Sequence, residues 1–154
     1  MRHYRLTNQE RAATGFTDAF GLDHKDLVAT SGTTENIVLQ TLGANVAVLY
    51  TDACFIVTEA FSGTGITEVK LQVGHNGING GTLDIDHFAA NQSVLLLNTF
   101  EGGATPSTST NITAATEIDV LFTTTGAAPS LVTAGQVVVY MKIIRQSDVL
   151  NAQA

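Results

Sequence analysis

The sequence has no tryptophan, one cysteine, two prolines and few charges: Asp, Glu, Lys and Arg fill 14% of its 154 positions, about half the usual share. Each scarcity removes a class of protein. Cys54 alone cannot form an internal disulfide, so the fold cannot rest on cross-links, and a single thiol fits assembly in a reducing cytoplasm. Seven Lys and Arg stand against fourteen Asp and Glu, a formal charge of −7. Nucleic-acid binders draw their affinity mainly from cations that neutralise phosphates, so no direct nucleic-acid partner is expected. The same balance argues against an anionic membrane surface. No apolar run reaches the roughly 18 residues of a membrane-spanning helix. The polar start, Met1 to Arg11, leads into no apolar core of a signal peptide, so none is expected.

What is present is a β mixture. There are 22 Thr and 14 Gly, with 44% hydrophobic residues. Thr and Val have a stiff, branched Cβ that packs well on a pleated surface, and Gly and Asn suit tight turns. The length fits one domain, which buries roughly two-thirds of its unfolded surface. The apolar share is too high and the charge too low for disorder.

The organisation read from pattern is an N-terminal arm over 1–16, a β domain over 17–145 and a polar tail over 146–154. The arm, MRHYRLTNQERAATGF, has no clean period, though a short strand or helical turn fits within it. It holds Arg2, Arg5 and Arg11, three of the seven cations, on an otherwise acidic chain. Such an arm is either a frayed tail or docked on a neighbouring subunit. Thr17 to Leu27 reads as irregular. Ile37 to Leu42 and Asn45 to Tyr50 read as strands, with Gly43–Ala44 a turn or bulge between them. Cys54 to Glu59 is a third strand and Ser62 to Gly65 a turn. Ile66 to Val73 alternates most cleanly: Val69, Leu71 and Val73 to the core, Glu68, Lys70 and Gln72 to water. Gly74 to Gly81, with two Asn-Gly pairs, is a loop, and Asp84 to Asn91 fits a helical turn. Ser93 to Phe100 is a strand, and Glu101 to Asn111 an exposed loop. In the long strand Ile112 to Thr125, Ile118, Val120 and Phe122 share one face. The last strand, Gln136 to Ile144, is apolar on both faces, which places it in the middle of a sandwich or under a subunit contact. Seven or eight strands at roughly this spacing predict an all-β fold, an antiparallel two-sheet β-sandwich of jelly-roll or immunoglobulin-like type with an extended N-terminal arm.

Motifs that carry chemistry are scarce. There is no Gly-x-Ser-x-Gly and no Walker A sequence. Gly63-Thr-Gly65-Ile-Thr-Glu68 lacks a third Gly and precedes a strand, so it is no dinucleotide motif. Cys54 lies in an apolar strand, where a thiol is buried and inert. The nearest thing to a metal cluster is Asp84-Ile-Asp86-His87. Two carboxylates about 7 Å apart on an extended chain, helped by Asn76, Asn79 and carbonyls, approach a Ca²⁺ set but fall short of its 6–8 oxygens. His3, His24 and His75 have no ligand spacing to His87 or to each other and are expected at the surface. Glu101, Glu117 and Asp119 have the right chemistry for an acid–base pair, but nothing fixes their separation. No catalytic, cofactor-binding or metal-binding residue is therefore assigned, no cofactor is expected, and the chain is read as a non-enzyme.

The last third carries a resemblance. Residues 112–144, ITAATEIDVLFTTTGAAPSLVTAGQVVVYMKII, resemble the ending of small virion structural proteins of tailed bacteriophages: an F-x-T-T-T-G strand end, a turn, then T-A-G-x-V and a final apolar strand. Leu22 to Leu42 is similar to their N-terminal part, where D-L precedes a Thr-rich stretch and an apolar strand, and Phe61 to Gly74 to their middle strand ending in V-G. The likeness covers most of 22–144; the arm before Phe16 departs from it. It implies a capsid decoration (cement) protein or another head or tail component, often a β-sandwich that forms trimers and has no catalytic residues to carry over. The expectation is a homotrimer bound to the phage major capsid protein or neighbouring virion proteins, located in the virion after assembly in the bacterial cytoplasm. A tail or baseplate component is a close alternative. A carbohydrate-binding module needs an exposed aromatic strip, for which the chain offers Tyr4, Tyr50 and Tyr140. A cupin-type enzyme needs clustered His ligands, and the four His are scattered.

Overall fold

The structure, a computed structural model, describes residues 1–43, 46–75, 78–85, 95–96, 110–112 and 116–145. In chain order these form β1 (Arg2–Arg5), α1 (Asn8–Thr14), β2 (Asp18–Asp23), β3 (Thr34–Leu42), β4 (Val46–Gly63), β5 (Glu68–His75), β6 (Ile78–Ile85), β7 (Leu95–Leu96), β8 (Thr110–Ile112), β9 (Thr116–Thr125) and β10 (Val132–Arg145). Short 3-10 turns sit at His24–Asp26 and Pro129–Leu131. All pairings are antiparallel. One sheet runs β1-β2-β10-β4-β7, with β8 also on β4; the other runs β3-β9-β5-β6. The chain is mostly β, and among the described residues α1 is the one α-helix.

Alternating side chains explain why both sheets close on one core. In β5, Val69, Leu71 and Val73 are buried while Glu68, Lys70 and Gln72 stay partly wet, as the sequence pattern requires. Ile118, Val120 and Phe122 do the same in β9, and Val137, Val139, Met141 and Ile143 in β10. These join Phe20 and Leu22 of β2, Leu39 and Leu42 of β3 and Phe55 and Phe61 of β4 in a single cluster. Phe61 and Phe122 meet edge to face across it, ring centres 5.3 Å apart at 64°. β10 lies between β2 and β4 in the middle of its sheet. Its outward residues, Val138, Tyr140 and Ile144, are only half-buried, so the strand's second apolar face is an outer face of the sheet.

Several elements differ from the sequence reading. β3 and the strand after it do not form a hairpin: β3 pairs with β9 and β4 with β10, so the chain changes sheets between them. The two strands expected at Asn45–Tyr50 and Cys54–Glu59 are one strand, β4, interrupted by a bulge where Cys54 faces Tyr140 and Leu49 faces Lys142. The segment Thr17 to Leu27 contains β2, whose Asp and Gly content hides a strand that pairs on both sides. The loop expected over Gly74 to Gly81 and the helical turn from Asp84 are replaced from Ile78 to Ile85 by β6, which folds back on β5 with a bulge at Gln72/Val73. The long strand expected from Ile112 is split: β8 pairs with β4 in one sheet, β9 with β3 and β5 in the other. The last strand starts at Val132 rather than Gln136. Residues 86–94, 97–109 and 146–154, where the rest of the turn from Asp84, most of the Ser93–Phe100 strand, the Glu101 loop and the tail were expected, lie outside the described residues.

The N-terminal segment is folded onto its own chain. β1 pairs with β2 from Arg2↔Gly21 to Arg5↔Asp18. A seven-residue helix is too short to persist on propensity alone, and α1 buries no residue. Its caps hold it: Thr7 Oγ1 accepts from Glu10 N–H, and a Glu10 carboxylate oxygen accepts from Thr7 N–H at 2.8 Å. Gly15, at φ 78°, ends the helix in the left-handed conformation.

β10 can lie close to β4 only because of Gly135. Its φ is 129°, and a Cβ there would stand 2.1 Å from Phe61 Cδ1 and 2.8 Å from Phe61 Cα. Gly135→Ala is expected to cost about 1–3 kcal/mol through overpacking and backbone strain. Urea denaturation reads this directly; an unchanged midpoint would show that the two strands do not approach so closely.

Candidate functional site

The residues singled out for chemistry are not gathered into one site. Cys54 is buried in β4, and desolvation pushes its thiol pKa up, which makes a nucleophilic thiolate harder to form. Asp84 lies in β6 opposite Lys70, while Asp86 and His87 lie outside the described residues. Among the described residues no three His, Cys, Asp or Glu side chains stand together as a metal site. Glu117 and Asp119 alternate onto the same side of β9 in different surroundings: Glu117 is exposed, and Asp119 is buried and accepts from Asn36 Nδ2 at 2.9 Å. Glu101 lies outside the described residues. His24 sits in the first 3-10 turn and His75 ends β5. Tyr4, Ala19 and Tyr140 form one cross-strand row on the outer face of the first sheet, with Phe16 against Tyr140 at 5.6 Å. Tyr50 is a backbone position of β4.

His3 departs from the expected surface role. It stacks on Phe20, ring centres 4.5 Å apart and 9° from parallel, and its Nε2 lies 2.9 Å from Asp18 Oδ1. Asp18 is wholly buried. It takes both arms of the Arg145 guanidinium, at 2.8 and 2.9 Å, and a 2.6 Å bond from Thr17 Oγ1. Thr17 in turn accepts Ile143 N–H at 2.7 Å. Gln40 of the other sheet stands 3.5 Å from Arg145. Burial favours the neutral acid, but the bonds from Arg145, Thr17 and His3 and the Arg145 charge outweigh it, so the Asp18 carboxyl titrates below its ordinary range. This cluster seals one end of the two sheets and fixes β1, β2 and β10 relative to one another. Its chemistry is structural, since every Asp18 oxygen is already occupied.

The opposite end is built differently. Three loops meet there, and none carries a formal charge: residues 27–34, 60–67 and the long stretch 120–141. They are stitched by main-chain bonds. Ser130 N–H donates to Ala29 O at 3.0 Å, Thr64 N–H to Leu131 O at 3.2 Å, Thr124 N–H to Thr33 O at 2.7 Å and Thr67 N–H to Thr125 O at 2.9 Å. Gly63 permits the closest approach, since a Cβ there would lie 2.2 Å from Leu131 O. The two carboxylates at the rim are turned inward. Glu35 accepts Val28 and Ala29 N–H at 2.9–3.0 Å, and Glu68 accepts from Thr125 Oγ1 at 2.9 Å and faces Lys70 at 3.4 Å. On this end Val28 is 69% exposed and Leu131 47%. Sequence reasoning passed over this surface; its signal was the unbroken absence of charge in three separate loops.

Compared with known proteins, the chain matches no family model, no curated protein and no solved structure.

Proposed function

We propose that this chain is a non-enzymatic structural protein whose surfaces, rather than a pocket, carry its function. Within that class it is a capsid decoration (cement) protein of a tailed bacteriophage, assembling as a homotrimer on the head shell and stabilising it in the virion. The observation that carries this is the stitched, charge-free loop end with Val28 and Leu131 exposed. Permanent protein contacts are depleted of charge at their centres, and ordering a small Thr-rich surface costs less side-chain entropy than ordering Lys and Glu. Two sheets closing on one core support a sandwich of jelly-roll or immunoglobulin-like type, a stiff support for such a surface. The sequence likeness over 22–144 supports the same assignment, with the major capsid protein or neighbouring virion proteins as partners and a tail or baseplate position as the variant. Three equivalent contacts on a shell raise affinity through effective concentration without any new contact.

The test is addition of the purified protein to phage heads that lack it. Co-sedimentation, together with a higher temperature of head disruption, is the expected result. Heads that neither retain the protein nor gain stability would refute the assignment. The row Tyr4–Ala19–Tyr140 favours a second reading, a carbohydrate-binding module, because aromatic faces stack on sugar rings. A glycan that binds wild type but not Tyr4→Ala, with no retention on heads, selects that reading.

A further inference from the structure

The homotrimer reading leaves open which surface joins the copies, and the apolar strand β10 is accounted for as a central strand of its own sheet. Resting on that reading, we infer that the charge-free loop end, centred on Val28 and Leu131, is the self-association surface, with a second copy of this chain as its occupant. Charge selects the occupant. Each copy carries −7, so two copies meeting at most places set like charges against each other, and a large net charge opposes association. At the loop end this conflict is absent. Residues 27–34, 60–67 and 120–141 hold no charge, and the rim carboxylates Glu35 and Glu68 are bonded within their own chain. Asp26, on the adjoining turn, is paired with the amino group of Met1.

The surface is also prepared for contact. Val28 and Leu131 are two of the five large apolar side chains exposed among the described residues. The bond from Ser130 N–H to Ala29 O holds their loops together. A surface already fixed by main-chain bonds loses little freedom on association, so its apolar area is converted to affinity with less opposing entropy. A closed symmetric assembly repeats the same patch in every subunit, which is what a single self-complementary surface supplies.

The experiment is light scattering of the full chain across concentration, on wild type and on Val28→Glu/Leu131→Glu. Both residues are exposed, so the variant is expected to keep its melting midpoint while its mass falls about threefold, to that of one chain. Oxidation supplies a second readout that needs no new charge. Val28→Cys is expected to give a disulfide-linked pair, while Val38→Cys, exposed on β3, gives none; Cys54 is buried and stays silent. A folded double variant with wild-type mass overturns the assignment of the surface and leaves self-association standing. Wild-type mass combined with lost retention on phage heads assigns the patch to the shell protein and overturns the second copy as occupant. Wild type that is a single chain at every concentration overturns both the surface and the homotrimer beneath it.

Discussion

Arg145→Met is expected to lower the free energy of unfolding at neutral pH by about 3–5 kcal/mol, the usual cost of removing one partner from a buried ion pair. Methionine keeps most of the length and the apolar stem, so the loss isolates the charge. What remains is a carboxylate with no exposure, still bonded to Thr17 and His3 but stripped of its only full counter-charge in the cluster. The pH dependence follows from the same geometry. In the native protein Asp18 titrates below its ordinary value of 3.8. A carboxyl whose folded pKa lies below its unfolded one adds stability that is fully present above the unfolded value. That stability disappears as pH falls through the folded value. In Arg145→Met, burial acts with little opposition and drives the carboxyl upward, towards the neutral acid. The gap between wild type and variant should therefore narrow as pH drops below 3.8. Urea denaturation at neutral and acid pH measures it. The double variant Asp18→Asn/Arg145→Met removes both charges and should recover much of the loss, because no buried ion is left alone. If Arg145→Met is as stable as wild type at neutral pH, the cluster does not hold this end of the fold.

The parts of this structure that could be read from sequence are those fixed by local alternation. Val69, Leu71 and Val73 alternate with polar residues, and a strand of period two has only one way to bury them. The same holds for Ile118, Val120 and Phe122. Pairing partners were harder, because period two says which face a residue takes and nothing about which strand lies beside it. Two good strands with a short link read as a hairpin, yet β3 and β4 go to different sheets, since each finds its apolar partners elsewhere in the chain. β2 was hidden for a related reason. DAFGLD has poor strand propensity, and its strand state is imposed by hydrogen bonds to β1 and β10 on either side. The sealed end was invisible because Asp18 and Arg145 are 127 positions apart. The charge-free end, by contrast, was written plainly in three loops, and only their meeting in space gives it meaning.

Phe61→Ala should have an effect of similar size, about 3–5 kcal/mol, by leaving a cavity that the surrounding strands cannot fill. Phe61 is 1% exposed, belongs to β4 of the first sheet and meets Phe122 of the second at 5.3 Å. It is thus one of the side chains by which the sheets grip each other, and losing it removes an aromatic pair as well as buried area. Gly135 packs directly against the ring, so the void opens where β10 crosses β4 and small residues on both sides offer nothing to refill it. The consequence reaches the loop end. Gly63, two residues on, lies against Leu131, and Thr64 N–H closes the contact at 3.2 Å. Hydrogen exchange in Phe61→Ala should therefore quicken at Thr64 and Leu131 more than at Val69 or Leu71, in the middle of β5. The variant should also self-associate more weakly than its remaining folded fraction predicts, because a loosened surface has more freedom to lose on contact. Uniform quickening across the protein, with association unchanged, would mean that the rigidity of the loop end is set by its own main-chain bonds and owes nothing to the core beneath it.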